Sequence, residues 1–384
     1  MNFTILHESR STKARVGRIE TPHGGFDTPA FMPVGTAAAV KGVTVEQLRG
    51  VGARVLLANA YHLMLRPGHE LVAQLGGLHA FMGWDGPILT DSGGYQVYSL
   101  ARMSRIDDDG VTFRSFVDGS TWHLSPERAM EVQNALGADI IMALDDCPPA
   151  LETADSDTRR REAHHRTLRW LERCRASHRR PDEQALFGIV QGGTDLDLRR
   201  ASVEAVCNVE LPGYAIGGVA VGESTDAIRR VVDFTAARMP AGKPRYLMGV
   251  GYEGDLVAAV RAGVDMFDCV LPTRNGRNAN AFTPAGRLHL RNAGFREAAG
   301  VLDPGCDCPA CAGGLSRAYL RHLFMTREML GPILVSMHNL RHYQRLMLDI
   351  QRAIREDSWS ALAEVWPATR EPTAPSCTTS TRQP

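Results

Sequence analysis

Eight short apolar runs, each closed by a polar or glycine cluster, are the feature that most restricts how this chain can fold. They are Ala30–Val34, Arg54–Asn59, Ile88–Asp91, Ile140–Asp145, Leu186–Gln191, Tyr214–Val219, Tyr246–Met248 and Val264–Asp268. The runs are nearly continuous rather than alternating, as parallel strands buried on both faces must be. Helix-like sequence lies between several of them. Ser125–Leu136 opens on S-P-E, an N-cap serine with proline at the first helical position. Asp157–Ser177 is a long, charged, amphipathic stretch, and Thr225–Ala237 and Glu253–Ala262 are similar. Strand and helix alternating this way predict an α/β fold, a (β/α)8 TIM barrel. An open doubly wound sheet is the rival, weakened because no G-x-G-x-x-G follows an early strand.

The barrel is expected to occupy residues 1–271, with a β-hairpin cap formed by Phe3–Leu6 and Arg15–Glu20. Phe113–Val117 and Thr121–His123 flank a D-G-S turn and predict a second hairpin. From residue 272 the rhythm stops, and a loop-rich segment, a cysteine cluster and then helices run to about residue 355. That second unit, 272–355, is expected to bind a metal. Residues 367–384 are rich in Pro, Thr and Ser, contain Cys377, and are expected to lack fixed structure.

With 384 residues, 44% of them hydrophobic, the chain can bury a large core. Its formal charge is zero, so a nucleic-acid partner must be met by a local patch and not by a global basic field. Lys13, Lys41 and Lys243 are the only lysines; the remaining positive charge is arginine, the better planar fork for phosphate. The N-terminus has no apolar run after a basic start, and no stretch of about 18 apolar residues occurs, so neither a secretory signal nor a membrane span is expected. Five cysteines are scattered and three are clustered, which fits a reduced cytoplasm better than a disulfide framework.

The cluster is Cys306-x-Cys308-x2-Cys311, three sulfurs within six residues. A fourth ligand would close a tetrahedral structural zinc site with no open position for catalysis. From spacing, His338 in S-M-H-N-L is the best candidate, while His322 and His342 lack a comparable argument.

Side chains at the C-terminal ends of barrel strands point into the mouth. Asp91, Asp145, Gln191 and Asp268 all close apolar runs. Any one of them has a plain explanation as the cap of the next helix. Converging, they supply two carboxylates to flank a sugar carbon, the minimal kit for glycosidic chemistry, and further groups to read a base edge. Ser92-Gly-Gly-Tyr95 and Gly217-Gly-Val219 add glycine turns that a flat base can approach, with Tyr95 available to stack.

The stretches ILTDSGGYQVYSL, ALDDC, FGIVQGG, YAIGGVAVGE, YLMGVG, MFDCVLPTRNGRN and C-x-C-x2-C…H occur in order from about residue 3 to 355. Together they resemble the bacterial type of the tRNA-guanine transglycosylase (queuine tRNA-ribosyltransferase) family. The resemblance implies a cytoplasmic homodimer that exchanges guanine at the wobble position of tRNAs with GUN anticodons for preQ1 (7-aminomethyl-7-deazaguanine). It implies Asp268 as the nucleophile on C1′ and Asp91 as general acid/base. It assigns Asp145, Gln191 and the Gly218 backbone to the base edges, and places Ser92, Tyr95, Val219 and Met248 in the same pocket. Arg274 and Arg277 match RNA contacts, and Cys306, Cys308, Cys311 and His338 match ligands of one structural Zn2+ per subunit. Arg287, Arg291, Arg317 and Arg321 are further candidates for a basic surface.

The chain departs from the family pattern at Val219 (G-G-V for G-G-L), at Asp146 beside Asp145 (D-D-C for D-E-C), and at Phe116-Val117, where a histidine is frequent before Asp118. The first two are expected to touch the base pocket and to alter affinity without removing a catalytic group. Val221 stands where queuine-inserting members have glycine, which favours the smaller preQ1. Two other classes remain to be weighed. A silent RNA-binding subunit would not need the aspartate set, and a metal-dependent barrel hydrolase would want a strand-end H-x-H, which the sequence lacks.

Overall fold

The structure, a computed structural model, describes residues 1–96, 104–148, 156–220 and 222–370. It opens with an antiparallel sheet of β1 (Asn2–Glu8), β2 (Arg15–Thr21) and β3 (Gly24–Thr28). The expected two-stranded cap therefore has a third strand. G-G-F-D-T escaped notice because it buries little apolar surface beyond Phe26, which gives no run to read. Ile19 and Phe26 from this sheet floor the barrel interior, and Arg15 forms a buried two-pronged pair with Asp265 at 2.9 and 2.7 Å.

The barrel begins with β4 (Ala30–Met32), β5 (Leu56–Asn59) and β6 (Ile88–Asp91). A small antiparallel sheet follows as an insertion, made of β7 (Ser104–Ile106), β8 (Val111–Arg114) and β9 (Thr121–Leu124). Here too a third strand joins the expected hairpin. The barrel resumes with β10 (Ile140–Met142), β11 (Ala185–Val190), β12 (Gly213–Ile216), β13 (Arg245–Leu247) and β14 (Met266–Asp268). The eight parallel strands run β4-β14-β13-β12-β11-β10-β6-β5. The ring closes where Val34 bridges Leu57 and the Gly35 N–H donates to the Leu57 carbonyl at 2.7 Å. The barrel expectation holds, and the open-sheet rival does not.

Both faces of each strand are buried, which is why the runs read as continuous. Leu57, Leu89, Ile140, Met142, Phe187 and Met266 fill the interior. Their neighbours Leu56, Ile88, Ile141, Leu186 and Phe267 face the surrounding helices. Each such side chain contributes roughly 1.5–3 kcal/mol on burial. Helices Pro126–Leu136, Ser156–Ser177, Thr225–Ala236 and Glu253–Arg261 lie within one or two residues of the expected bounds. Pro126–Leu136 starts where Ser125 Oγ accepts the Arg128 N–H and stops at Gly137, whose φ is +75°. A further helix, Leu196–Asn208, follows β11 and was not legible beforehand.

After β14 come helix Leu271–Arg277 and the hairpin β15 (Asn280–Thr283) and β16 (Gly286–His289). Next is the cysteine segment, with a satellite core that includes Leu290, Leu302, Leu320, Phe324 and Val335. The 27-residue helix Leu330–Glu356 then returns to the barrel. Its Gln344 and Gln351 amides donate to the Phe31 and Pro29 carbonyls at 3.1 and 3.0 Å, and the Tyr343 hydroxyl donates to Gly251 O at 2.6 Å. This helix completes the eighth β/α unit. The tail expected to lose structure at residue 367 keeps it a few residues longer. Trp366 is fully buried, with Nε1–H donating to Asp349 at 2.8 Å, and Pro367–Thr369 form a 3-10 turn behind it. Residues 371–384, Cys377 included, lie outside the described residues. Among the described residues the seven cysteines are free of disulfides, and no helix is long and apolar enough to cross a membrane.

Candidate active site and metal centre

The strand ends gather at one mouth. Asp91 closes β6 in register with Asn59 of β5. Asp268 closes β14, and Asp145, Gln191, Gly218 and Met248 follow the ends of β10, β11, β12 and β13 within three residues. The structure joins them into two polar groups.

The first group surrounds the paired carboxylates. Asp91 Oδ1 accepts the Ala60 N–H at 2.9 Å, and Oδ2 accepts from Asn59 Nδ2 and, at 2.8 Å, from Gln96 Nε2. Burial nevertheless raises its pKa to about 7, with the nearby Asp268 charge adding to the effect and the three donors opposing it. Asp268 Oδ1 accepts the Tyr246 hydroxyl at 2.6 Å and the Gly249 N–H at 2.8 Å. Its pKa is also raised by burial, with those donors opposing because they favour the anion. Both carboxylates accept from donors that favour their ionised forms. Asp91 is in addition poised to carry a proton at neutral pH, as a group that hands protons to and from a reacting base must be. Sequence reasoning missed Asn59, Gln96 and Tyr246. Asn59 could have been found, because it ends its run as Asp91 ends the next.

The second group is built for hydrogen-bonding an edge. Gln191 Nε2 donates to Asp145 Oδ2 at 2.6 Å, and Ser92 Oγ stands 3.5 Å from Asp145 Oδ1. Asp145 is raised to about 6, by burial first and then by the Asp146 charge, with Gln191 among the groups opposing. Gly94 lies so close that a Cβ there would come 2.8 Å from Asp145 O. Gly218 has φ +61°, and a Cβ there would meet Gln191 Oε1 at 2.1 Å. Tyr95 is exposed, Met248 is half-buried and Val219 is buried. A cavity of about 320 Å3 adjoins this group, lined in part by Gln191, Gly218, Gly222 and Glu223. That is the lower end of the range for small-molecule sites.

Asp146, expected beside the base pocket, faces elsewhere. Its carboxylate is paired with Arg159 and Arg166 on helix Ser156–Ser177, so D-D-C alters an ion-pair cluster and reaches the pocket only through its charge on Asp145. Phe116 is exposed and packs edge-on near His62. Val221 lies outside the described residues. Arg274 and Arg277 sit on the short helix directly after Asp268, the first exposed and the second half-buried. Arg287 and Arg291 are exposed; Arg317 and Arg321 instead donate to the Val301 and Asn292 carbonyls at 2.8 and 3.1 Å.

Cys306, Cys308, Cys311 and His338 are all buried, with their ligand atoms within 4.8 Å of one another. His338 Nδ1 lies 3.4 Å from the sulfurs of both Cys308 and Cys311. Its Nε2–H donates to Phe282 O at 2.8 Å, which leaves the Nδ1 lone pair facing the thiols. This donor set fits a soft cation in tetrahedral coordination. The alternatives fall away: His342 pairs with Glu253 at 3.0 Å, and His322 is exposed on helix Arg317–Met325.

Paired buried carboxylates at the C-terminal mouth of a closed parallel barrel mark an enzyme site. A family model described as queuine tRNA-ribosyltransferase matches residues 9–372. A protein of that name from Thermus thermophilus is 55% identical over 362 residues, covering 94% of this chain and 92% of its own. Those from Halothermothrix orenii and Lysinibacillus sphaericus are 52% and 51% identical over 358 and 357 residues, each spanning 93% of this chain and 95% and 93% of their own. The chain belongs to the queuine tRNA-ribosyltransferase family and is a pentosyltransferase.

Proposed function

We propose that this enzyme exchanges guanine at the wobble position of tRNAs with GUN anticodons for preQ1, by double displacement through a covalent Asp268–ribosyl intermediate. The observation that carries this reading is the pairing of Asp91, raised to about 7, with an Asp268 held by Tyr246 and Gly249. The target nucleotide leaves the anticodon stack to reach the mouth. Tyr95 and Met248 hold its plane, while Asp145, Gln191 and the Gly218 backbone hydrogen-bond its edges. Both donors to Asp268 bond Oδ1, leaving Oδ2 to attack C1′ as the glycosidic bond breaks. Asp91 gives its proton to the departing guanine. The ionised Asp91 then takes a proton from the incoming base, whose nitrogen displaces Asp268 from C1′. Two inversions retain the β-linkage. Val221 supports preQ1 over queuine through its size.

The ion at the cysteine site is, on this reading, structural Zn2+, one per subunit, supplying rigidity and no chemistry to the reaction. Arg274 and Arg277 are placed to contact RNA beside the exchanged nucleotide. Tyr319, Met325, Met329 and Leu330 are exposed apolar residues that follow the cysteine segment in sequence, and on this reading the enzyme is a homodimer in the cytoplasm. The test of function is incubation with an anticodon stem-loop and labelled guanine, preQ1 or queuine. Incorporation of preQ1 and guanine is expected; preference for queuine would overturn the substrate assignment.

Two further outcomes are expected. In the free enzyme, the first displacement requires protonated Asp91 and ionised Asp268. A carboxyl raised to about 7 is protonated below that pH and ionised above it. kcat/KM for the stem-loop should therefore fall as pH rises through about 7, by up to about tenfold per unit. A profile that climbs steadily across that range would contradict the acid role of Asp91. Gly218→Ala should strain the left-handed turn by about 1–2 kcal/mol and push Gln191 from its place. The KM for free base should rise at least ~10-fold, and an unchanged value would remove Gly218 from the pocket.

A further inference from the structure

One guanidinium stands behind the residues assigned to the base edge. Helix Leu196–Asn208 is capped by Asp195, whose carboxylate accepts the Asp197 and Leu198 N–H groups. Its first turn sends Arg199 inward toward the barrel mouth. Arg199 is 0% exposed, and none of the ion pairs among the described residues includes it. Its partners are three backbone carbonyls: Nε donates to Gly193 O at 2.9 Å, Nη1 to Val190 O at 3.0 Å and Nη2 to Gly218 O at 3.0 Å. Burying a cation against carbonyls alone is costly, and an apolar side chain would fill the volume more cheaply. Burial accordingly draws its pKa down to about 10.

The carbonyls it holds matter more than their number. Val190 C=O and Gln191 N–H belong to one peptide unit. Arg199 binds the oxygen, and Ser202, on the same helix, accepts the N–H at 3.0 Å. The backbone of Gln191 is thereby clamped from both sides by a single helix. The Gly217 N–H also donates to Val190 O, at 3.1 Å, and Nη2 of Arg199 holds the next turn through Gly218 O. A guanidinium is planar, with donors at fixed separations. It therefore sets the spacing between the end of β11 and the glycine turn after β12. Little slack exists there, since Gln191 Oε1 occupies the space a Gly218 Cβ would need.

We infer that Arg199 is a positioning residue for base recognition, holding Gln191 and the Gly218 turn at the one spacing that binds a purine-like base by its edge. The inference rests on the base-exchange reading above. Lysine keeps the charge but loses the fork, so Arg199→Lys separates geometry from electrostatics.

The test uses the full, metal-loaded chain in steady-state exchange, varying free guanine at saturating stem-loop and then the reverse, with Tm measured alongside. In Arg199→Lys the KM for guanine should rise about 10-fold or more, while the KM for the stem-loop stays at the wild-type value. In Arg199→Ala, methylguanidinium at non-denaturing concentration should lower the guanine KM back toward wild type. An unchanged guanine KM in Arg199→Lys would overturn the inference. So would a rise of both KM values in step with lost Tm, or failure of both variants to fold, because each assigns Arg199 to the scaffold alone. Absence of guanine exchange in the wild type would instead count against the proposed function.

Discussion

Asp268→Asn is expected to cut base exchange by about 10^4-fold or more, the scale on which removing a covalent nucleophile acts, with no loss of Tm. The amide keeps the oxygen that accepts from Tyr246 and Gly249. It loses only the charge whose burial raises the Asp268 pKa. A carboxyl with a raised folded pKa costs stability when ionised, so its neutral isostere should leave the protein as stable at pH 7 or slightly more so. Chemistry and fold are separable by measurement. Exchange of labelled guanine reads the chemistry and thermal melting reads the fold. Residual turnover within about tenfold of wild type, about 1.4 kcal/mol of barrier, would show that Asp268 is not the nucleophile.

The second large effect is expected at the metal centre, which on the proposed reading takes no part in the chemistry. Cys306, Cys308 and Cys311 are part of a small apolar core. Structural zinc contributes on the order of 10 kcal/mol of binding free energy to comparable folds. Stripping the metal, or Cys308→Ser, should therefore unravel the cysteine segment. The damage has a definite route to the mouth. His338 donates to Phe282 O, and the adjacent Asn339 donates to Pro272 O and Asn280 O, both at 2.9 Å, and accepts the Phe282 N–H at 2.9 Å. These bonds hold the stretch from Pro272 to Phe282, which carries Arg274 and Arg277 just after Asp268. Metal removal is expected to raise the KM for the stem-loop and open residues near 272–340 to protease, while the barrel core stays folded. A stripped protein with unchanged stem-loop KM and protease resistance would show that the site does not support the segment that carries Arg274 and Arg277.

Much of this architecture was legible because parallel barrel strands are buried on both faces and leave continuous apolar runs. The strands that escaped include β3 and β7, in the two three-stranded sheets. β3 pairs along one edge and buries little beyond Phe26, so backbone hydrogen bonding rather than an apolar pattern defines it. Among site residues, the aspartates were visible as polar ends of apolar runs. Tyr246 was not, because an aromatic at the start of a run reads as core; its ring is core, and only its hydroxyl reaches Asp268. Arg199 was hidden for the opposite reason. A charged residue in a charged helical turn looks solvated, and nothing local tells that its guanidinium turns inward to three carbonyls. Asp146 shows the same limit, since adjacency to Asp145 suggested the pocket while the side chain points to Arg159 and Arg166. His338 could be proposed from spacing, but its Nδ1 orientation comes from the Phe282 carbonyl, a contact between residues 56 apart.

The most direct measurement of the covalent mechanism is intact-mass analysis of the protein quenched in denaturant after mixing with a stem-loop and no free base. An adduct weighing protein plus RNA minus one guanine is expected, with peptide mapping placing the link at Asp268. It should be absent in Asp268→Asn and discharged by added guanine or preQ1. Base exchange that proceeds with no such adduct, or a link mapped to Asp91, would contradict the mechanism.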